Sequence, residues 1–463
     1  MNRMPMKALR LIFIIVLLTL AAGCAKVSRP EQNLRERLDY NEETRAGYNL
    51  DQNWWLVYEN QELNRLMDKA LAANIDLAQA AVSVNRALYQ AKLISADLVP
   101  SFSGGLDGSA RKNIKEGGPS TRSASGSVSL SYELDLWRKV AAAASAGQWE
   151  YQATIEDKEA ARLALIGSVV DAYYHLAYLN DALAAGRDNL ANYRSIEKTV
   201  QAKSEAGKVA AIEVAQARQA VLSAESSLID LESQHKSAEQ TLKNLLNLKP
   251  GESFGFAAAP GLSGQKLPDV NLDIPLAVLA NRPDLRAAEF RLEKAFKNVE
   301  EAEKGWLPSI TLGAAINSSS DAIRTALNNP VASGTLSINL PFLDWSRVLY
   351  NLRISEMDFE KQRLEFEKTL TTALNEVDTL YYEYEKSRQS LDKTRAKYVE
   401  DRRVAAYYQD RYQAGAAELS DWLSAVNTAN SSRLSSLNTL YQALSSQSML
   451  YKAMAGRWNE KAR

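Results

Sequence analysis

The sequence predicts an α+β membrane protein built twice over. Each copy gives two membrane-length strands and very long helices to a barrel that several chains share. Three observations carry this prediction. Residue pairs recur at a constant offset of 208. Four segments alternate apolar and polar residues with a period of two. The stretch from Lys139 to Glu205 holds no proline and carries two apolar stripes at helical spacing.

Composition removes several function classes first. The chain of 463 residues balances 55 Lys+Arg against 56 Asp+Glu, without the basic excess of a general nucleic-acid binder. One Cys excludes an internal disulfide and any Cys-rich metal site. His175 and His235 lie too far apart in sequence to suggest an imidazole metal site. No metal or other cofactor is expected. There is no Gly-rich phosphate loop and no nucleophile–base pair, so an enzyme is not expected.

Residues 1–23 read as an export signal. Arg3, Lys7 and Arg10 precede an apolar run from Leu11 to Leu20, and Ala21, Ala22 and Gly23 follow. The run is about half of the roughly 20 residues that a membrane-spanning helix needs. The lone Cys24 stands directly after the small residues, and Leu20-Ala21-Ala22-Gly23-Cys24 resembles a bacterial lipobox. The resemblance implies a lipid on Cys24 as the mature N-terminus, and Ala25 next to it implies the outer membrane. Acyl chains in the plural anchor stably, where one is marginal. Beyond this segment no apolar run reaches membrane-helix length, so any crossing must use strands.

The duplication organises the rest. Leu71-Ala72 returns as Leu279-Ala280, Asp76-Leu77 as Asp284-Leu285, Pro100-Ser101 as Pro308-Ser309, Trp137 as Trp345 and Ala206-Gly207 as Ala414-Gly415. A register held over that length is not accidental. The expected units are a lipidated segment at 24–60, a first repeat at 61–248, a linker at 249–275 and a second repeat at 276–463. Each repeat reads helix, strand, polar loop, strand, very long helix, turn, helix. The linker is rich in Gly and Pro and predicts little regular structure.

Strands are expected at about 100–137 and 308–345. Phe102, Leu106, Val128, Leu130, Tyr132, Ile310, Leu312, Ile316, Leu336 and Ile338 all fall on even positions. Ser, Thr, Asn and Gly dominate the odd ones, with Ala315 an exception. Such strands have one apolar and one polar face. Ten residues suffice for a tilted strand to cross a bilayer, with lipid on one face and water on the other. Four strands cannot enclose water, and open edges are not tolerated in lipid, so several chains must complete the barrel. The loops Arg111–Arg122 and Ser318–Asn329 would face outward.

Helix follows from Lys139 to Glu205, about 100 Å long at 1.5 Å per residue. One stripe runs Leu163, Ile166, Val170, Tyr173, Ala177, Ala184; the other runs Leu165, Val169, Ala172, Leu176, Leu179, Leu183, Gly186, Leu190, Tyr193. Two seams mean two neighbours, as in a tube of helices. Each long helix ends at Ala-Gly, where Gly207 and Gly415 suit a left-handed reversal. Returning helices are expected from about Ile212 and Ser420.

This pattern resembles the outer membrane factor, or TolC-like, family, and within it the lipoprotein branch that serves efflux pumps. Asn53-Trp54-Trp55, the segment Arg282 to Glu289, Tyr132 to Trp137 and Leu340 to Trp345 carry the resemblance, which covers essentially the whole mature chain. It implies a homotrimer with a twelve-stranded barrel continuous with a twelve-helix periplasmic tunnel. It implies as partners a periplasmic adaptor protein, a proton-driven inner membrane pump and outer membrane lipid. Family members carry Gly after the strand-end Trp, where Arg138 and Ser346 stand here.

The resemblance also places a gate at the periplasmic tip. Glu213 and Asp421, six residues beyond each turn Gly, match acidic gate positions, and Tyr412 matches a linking tyrosine. Ala417 and Ser424 depart from an Arg and an acidic residue of the family gate. Lys203 and Arg411, four before each Gly, suit contact with an adaptor hairpin, and equally suit a helix C-terminus. The expected activity is passive export of drugs or other small toxic solutes. Two rivals stand beside it: the channel of a type I protein secretion system, and a lipid-tethered coiled coil without a pore.

Overall fold

The computed structural model describes residues 48–115, 117, 119–254, 260–262, 265, 267–270, 279, 281–321 and 328–460. The export signal and Cys24 lie outside them.

The elements follow the duplication. In chain order they are β1 (Tyr48–Asp51), a 3-10 turn (Trp54–Tyr58), α1 (Gln61–Ala73), α2 (Ile75–Ser95), β2 (Ser101–Arg111), β3 (Thr121–Leu134), α3 (Lys139–Glu205) and α4 (Ala211–Leu245). The second half gives α5 (Pro283–Lys304), β4 (Ser309–Ser320), β5 (Val331–Asn339), α6 (Trp345–Gln413), α7 (Leu419–Ala453) and β6 (Arg457–Glu460). Helices α4 and α7 both have 35 residues and start 208 apart. The loops are slightly shorter than expected, since β4 runs on to Ser320 and β3 begins at Thr121.

Strands β2-β3-β4-β5 form one antiparallel sheet in that order. Every pair joins residues of like parity: Phe102 faces Leu130, Leu130 faces Ala314 and Ala314 faces Gly334. The even-numbered apolar residues therefore form one continuous face across four strands. The odd face is a hydroxyl ladder. Ser103 and Ser129 share a hydrogen bond of 2.7 Å, and Ser109 and Ser123 one of 2.9 Å.

The helices form an arc in two layers. Near the sheet the order is α2-α3-α5-α6; farther away it is α4-α3-α7-α6. Helix α3 thus has the two flanks that its stripes predict. Leu165, Val169, Ala172, Leu176, Leu179, Leu183, Leu190 and Tyr193 are all buried, as are Leu163, Ile166, Val170, Tyr173 and Ala177. Gly186 is half-buried, and Ala184 is exposed where the first stripe has drifted off the seam. Gly147 lets α2 approach: a Cβ there would lie 3.0 Å from Ile94 Cδ1 and 3.4 Å from Ala91 Cα.

The near-sheet layer ends in an uncovered edge on each side. Ile75, Val82, Tyr89 and Leu93 lie exposed on α2, and Tyr350, Ile354, Met357 and Leu364 on α6. Their steps of three, four and seven are those of a coiled-coil seam. Strands β2 and β5 end the sheet in the same way.

The largest core sits between the layers and was only partly anticipated. Trp54, Tyr58, Tyr173, Tyr174, Tyr384 and Tyr451 pack with Leu63, Leu66 and Met67 of α1. The Trp54 and Tyr451 rings lie 5.5 Å apart. Phe254 and Leu262 of the linker are buried there too, so these residues of it belong to the core. Arg282 pins this level. Its guanidinium donates to Asp284 Oδ2 (2.8 Å), Glu376 Oε2 (2.7 Å) and the Ala453 carbonyl (2.8 Å), joining α5, α6 and α7. β1 and β6 pair antiparallel and bring the two described ends of the chain together.

The two strand-to-helix corners differ. Arg138 adopts φ +60°, a left-handed conformation that disfavours any side chain. Asp135 stabilises the corner by accepting from the Val140 and Ala141 amides at 2.9 and 2.8 Å. At the second corner a 3-10 turn from Pro341 to Asp344 leads straight into α6, with Trp345 already helical. Ser346 therefore stands where glycine is not needed, whereas Arg138 stands where it is.

Candidate functional site

The membrane-distal turns are closed by backbone alone. Gly207 has φ +66° and Gly415 φ +74°. The Gly207 amide donates to Ser204 O (2.9 Å) and the Lys208 amide to Lys203 O (2.9 Å). The Gly415 amide donates to Tyr412 O (3.1 Å) and the Ala416 amide to Arg411 O (2.8 Å), the same bonds shifted by 208. This pair of bonds satisfies the last carbonyls of each long helix. A second matched left-handed pair follows at Asn247 and Ala455, so the repeat register extends well past Gly207.

Side chains then tie one hairpin to the other. Tyr412 is 4 % exposed and lies at the end of α6. Its hydroxyl donates to Glu213 Oε2 at 3.1 Å, across to the first turn of α4. Lys203, at the end of α3, donates to the Tyr412 carbonyl at 3.0 Å and sits 4.0 Å from the centre of its ring. The Trp422 ring backs Tyr412 at 5.3 Å. Glu213, Tyr412 and Lys203 are thus one cluster, assembled from three helices. The family resemblance pointed to Glu213 and Tyr412, and position before the turn to Lys203, but neither pointed to their meeting or to the part of Trp422.

The other candidates lie apart from this cluster. Asp421 is exposed on the first turn of α7. It lines a cavity of about 230 Å³ with Asp401, Tyr408, Ser424 and Thr428. Arg411 turns back on its own loop, donating to the Ala416 carbonyl at 3.1 Å, with its guanidinium 5.9 Å from the Tyr407 ring. Of its two roles, the C-terminal one is visible here.

Burial, and then Glu213, pushes the Tyr412 phenol up to about 12 from its ordinary value of 10. The native cluster therefore favours the protonated phenol. Its contribution is complete below pH 10 and is lost as pH rises through about 12. Single-channel current should be flat in pH up to about 9 and rise over the next units as the link ionises. A rise centred near neutral pH would assign the response to other groups.

Sheet, arc and turns together define the relationship. The family described as outer membrane efflux protein matches residues 66–248 and 274–456, two segments again 208 apart. The chain belongs to the outer membrane efflux protein family. It is similar to the toxin and drug export protein A of Aggregatibacter actinomycetemcomitans, with 43% identity over 452 residues, 98% of this chain and 99% of that protein. An uncharacterized protein of Haemophilus influenzae is 44% identical over 434 residues, 94% of this chain and 95% of that one. The outer membrane protein VceC of Vibrio cholerae superposes with a TM-score of 0.78 at 21% identity, covering 88% of this chain and 99% of that one.

The fold class is thereby that of trimeric outer membrane channels. The four-stranded sheet is one third of a twelve-stranded barrel, and the open edges of sheet and helix arc meet their counterparts on neighbouring copies. The protein is an outer membrane efflux channel, working with adaptor and inner membrane components. A pore-free coiled coil is set aside.

Proposed function

We propose that the chain is the passive exit duct of a proton-driven tripartite pump that expels drugs or other small toxic solutes. The observation that carries this reading is the odd face of the sheet. Along β3 it is Ser123, Ser125, Ser127, Ser129 and Ser131, and Asp107 and Glu133 are its only acidic groups. A lining made mostly of hydroxyls, with few charges along the strands, adds little electrostatic filtering within the barrel, so solutes of varied chemistry are not sorted there. That is the property a duct of broad use requires.

The name of the Aggregatibacter relative couples toxins with drugs, which favours one second reading, the outlet of a type I protein secretion system. A strain lacking this chain tests both. Raised drug susceptibility restored by the chain, with secretion of polypeptides unchanged, supports the first reading. The converse supports the second.

Cys24 carries the lipid in this proposal, and the turns at Lys203–Gly207 and Arg411–Gly415 receive the adaptor. Cys24→Ser should abolish acylation while trimers still assemble, because the barrel inserts by its own apolar face. Mass spectrometry of the mature N-terminus decides this, and an unmodified Cys24 in the native protein refutes the anchor.

A further inference from the structure

Arg138 pays for its place at the first strand-to-helix corner, since a left-handed backbone there suits glycine and penalises a long side chain. A strained residue points to a use for its side chain. The guanidinium is exposed, and among the described residues neither Arg138 nor Lys139 has an ion-pair partner. Asp135, the nearest acid in sequence, is occupied by the first amides of α3. Lys304 adds a third cation, its ammonium donating to the Arg138 carbonyl at 3.3 Å.

The second corner is an internal control. Arg347 occupies the position equivalent to Lys139, and Asp344 neutralises it at 3.2 Å. Only the first corner presents free positive charge.

Its apolar side is equally exposed. Leu136 is 57% and Trp137 44% exposed. The Trp137 indole N–H already donates to the Pro308 carbonyl at 2.7 Å, so the ring is fixed and its face is free. These residues lie just below Leu134 and Ile310, the last paired apolar row of the sheet. That is the depth of the bilayer's periplasm-facing headgroups, where tryptophan rings and basic side chains settle.

We propose that the corner Leu136–Lys139 seats the phosphate of an anionic membrane phospholipid from the periplasm-facing leaflet. Arg138 and Lys139 grip the phosphate diester, and Leu136 and Trp137 lie against its glycerol and upper acyl chains. Three copies ring the trimer at one height and fix its depth in the membrane.

Delipidated full-length trimer, titrated with phosphatidylglycerol or phosphatidylethanolamine and observed by native mass spectrometry, tests this. Wild type should bind up to three phosphatidylglycerols with about 25-fold preference, since each of the two gripping cations near an anionic surface contributes about fivefold. Arg138→Asn with Lys139→Gln keeps a residue that tolerates the left-handed backbone and should reduce the preference to about twofold or less. Arg347→Gln should leave it unchanged. Arg138→Gly with Lys139→Gln gives the same reading should the first variant not assemble. A preference that survives both double variants, or that falls equally in Arg347→Gln, overturns the proposal. So does full competition by soluble glycerol 3-phosphate, which would make the corner a site for free phosphate rather than a membrane lipid.

Discussion

Leu130→Arg should destabilise the assembled barrel by about 2–4 kcal/mol in lipid, while Ser129→Arg, one residue away, should be tolerated. The contrast rests on register. Leu130 faces Phe102 on one side and Ala314 on the other, in the third even row from the periplasmic end. The even row meets acyl chains, where an arginine must bend to the interface or carry its charge into hydrocarbon. Ser129 faces Ser103 and Ala315 on the other surface. Arginine there forfeits one hydroxyl–hydroxyl bond and extends into water. On β5 Ile338 faces Ile310 in the row at the periplasmic end rather than at mid-strand, so Ile338→Arg should cost only about 0–1 kcal/mol, and Ser337→Arg, facing Thr311, should be tolerated as well. Denaturant unfolding of trimers in lipid vesicles measures both pairs. Greater damage from the odd-numbered substitutions would exchange the lipid and lumen faces.

Much of this architecture was legible because the strands and helices follow their own periods. Like parity on all four strands is visible in sequence, and the observed register keeps it without a slip. The same holds for the α3 stripes, until Ala184, where a straight helix no longer tracks a strict repeat. The aromatic core was not legible. Trp54, Tyr174 and Tyr451 meet from segments hundreds of residues apart, and no local period announces such a meeting. The β1–β6 pair is the extreme case. Asn60 and Asn74 did carry a local signal. Their side chains cap α1 and α2, accepting from Leu63 and Leu77 amides at 3.0 Å, as Asn before an apolar run can. The left-handed state of Arg138 was not legible from Arg itself; only its departure from the family's glycine marked the place.

The cluster at the distal turns shows the same division. The family resemblance pointed to Glu213, Asp421 and Tyr412, but not to which of them touch. The link Tyr412–Glu213 joins the two hairpins within one copy; if the distal turns form the gate that the resemblance implies, opening parts them. Tyr412→Phe removes the donor and leaves the ring against Trp422 and Lys203 in place. A hydrogen bond of this kind contributes about 1 kcal/mol net. Three copies acting together contribute about 3 kcal/mol, which shifts a closed-to-open ratio by roughly a hundredfold. Tyr412→Phe should therefore raise the open fraction in single-channel recordings, and Glu213→Gln should raise it less, since an amide oxygen still accepts the phenol's hydrogen. Asp421, exposed and outside that link, should act through charge instead. Asp421→Asn is expected to lower cation selectivity and weaken block by multivalent cations from the periplasmic side, because three carboxylates at a constriction concentrate cations. High salt should shrink this difference and leave the Tyr412 effect standing, since screening weakens exposed charges far more than a buried hydrogen bond. Unchanged gating in Tyr412→Phe would make the link a strut within each copy. Unchanged selectivity in Asp421→Asn would place that carboxylate on the outer, solvated face of the tip.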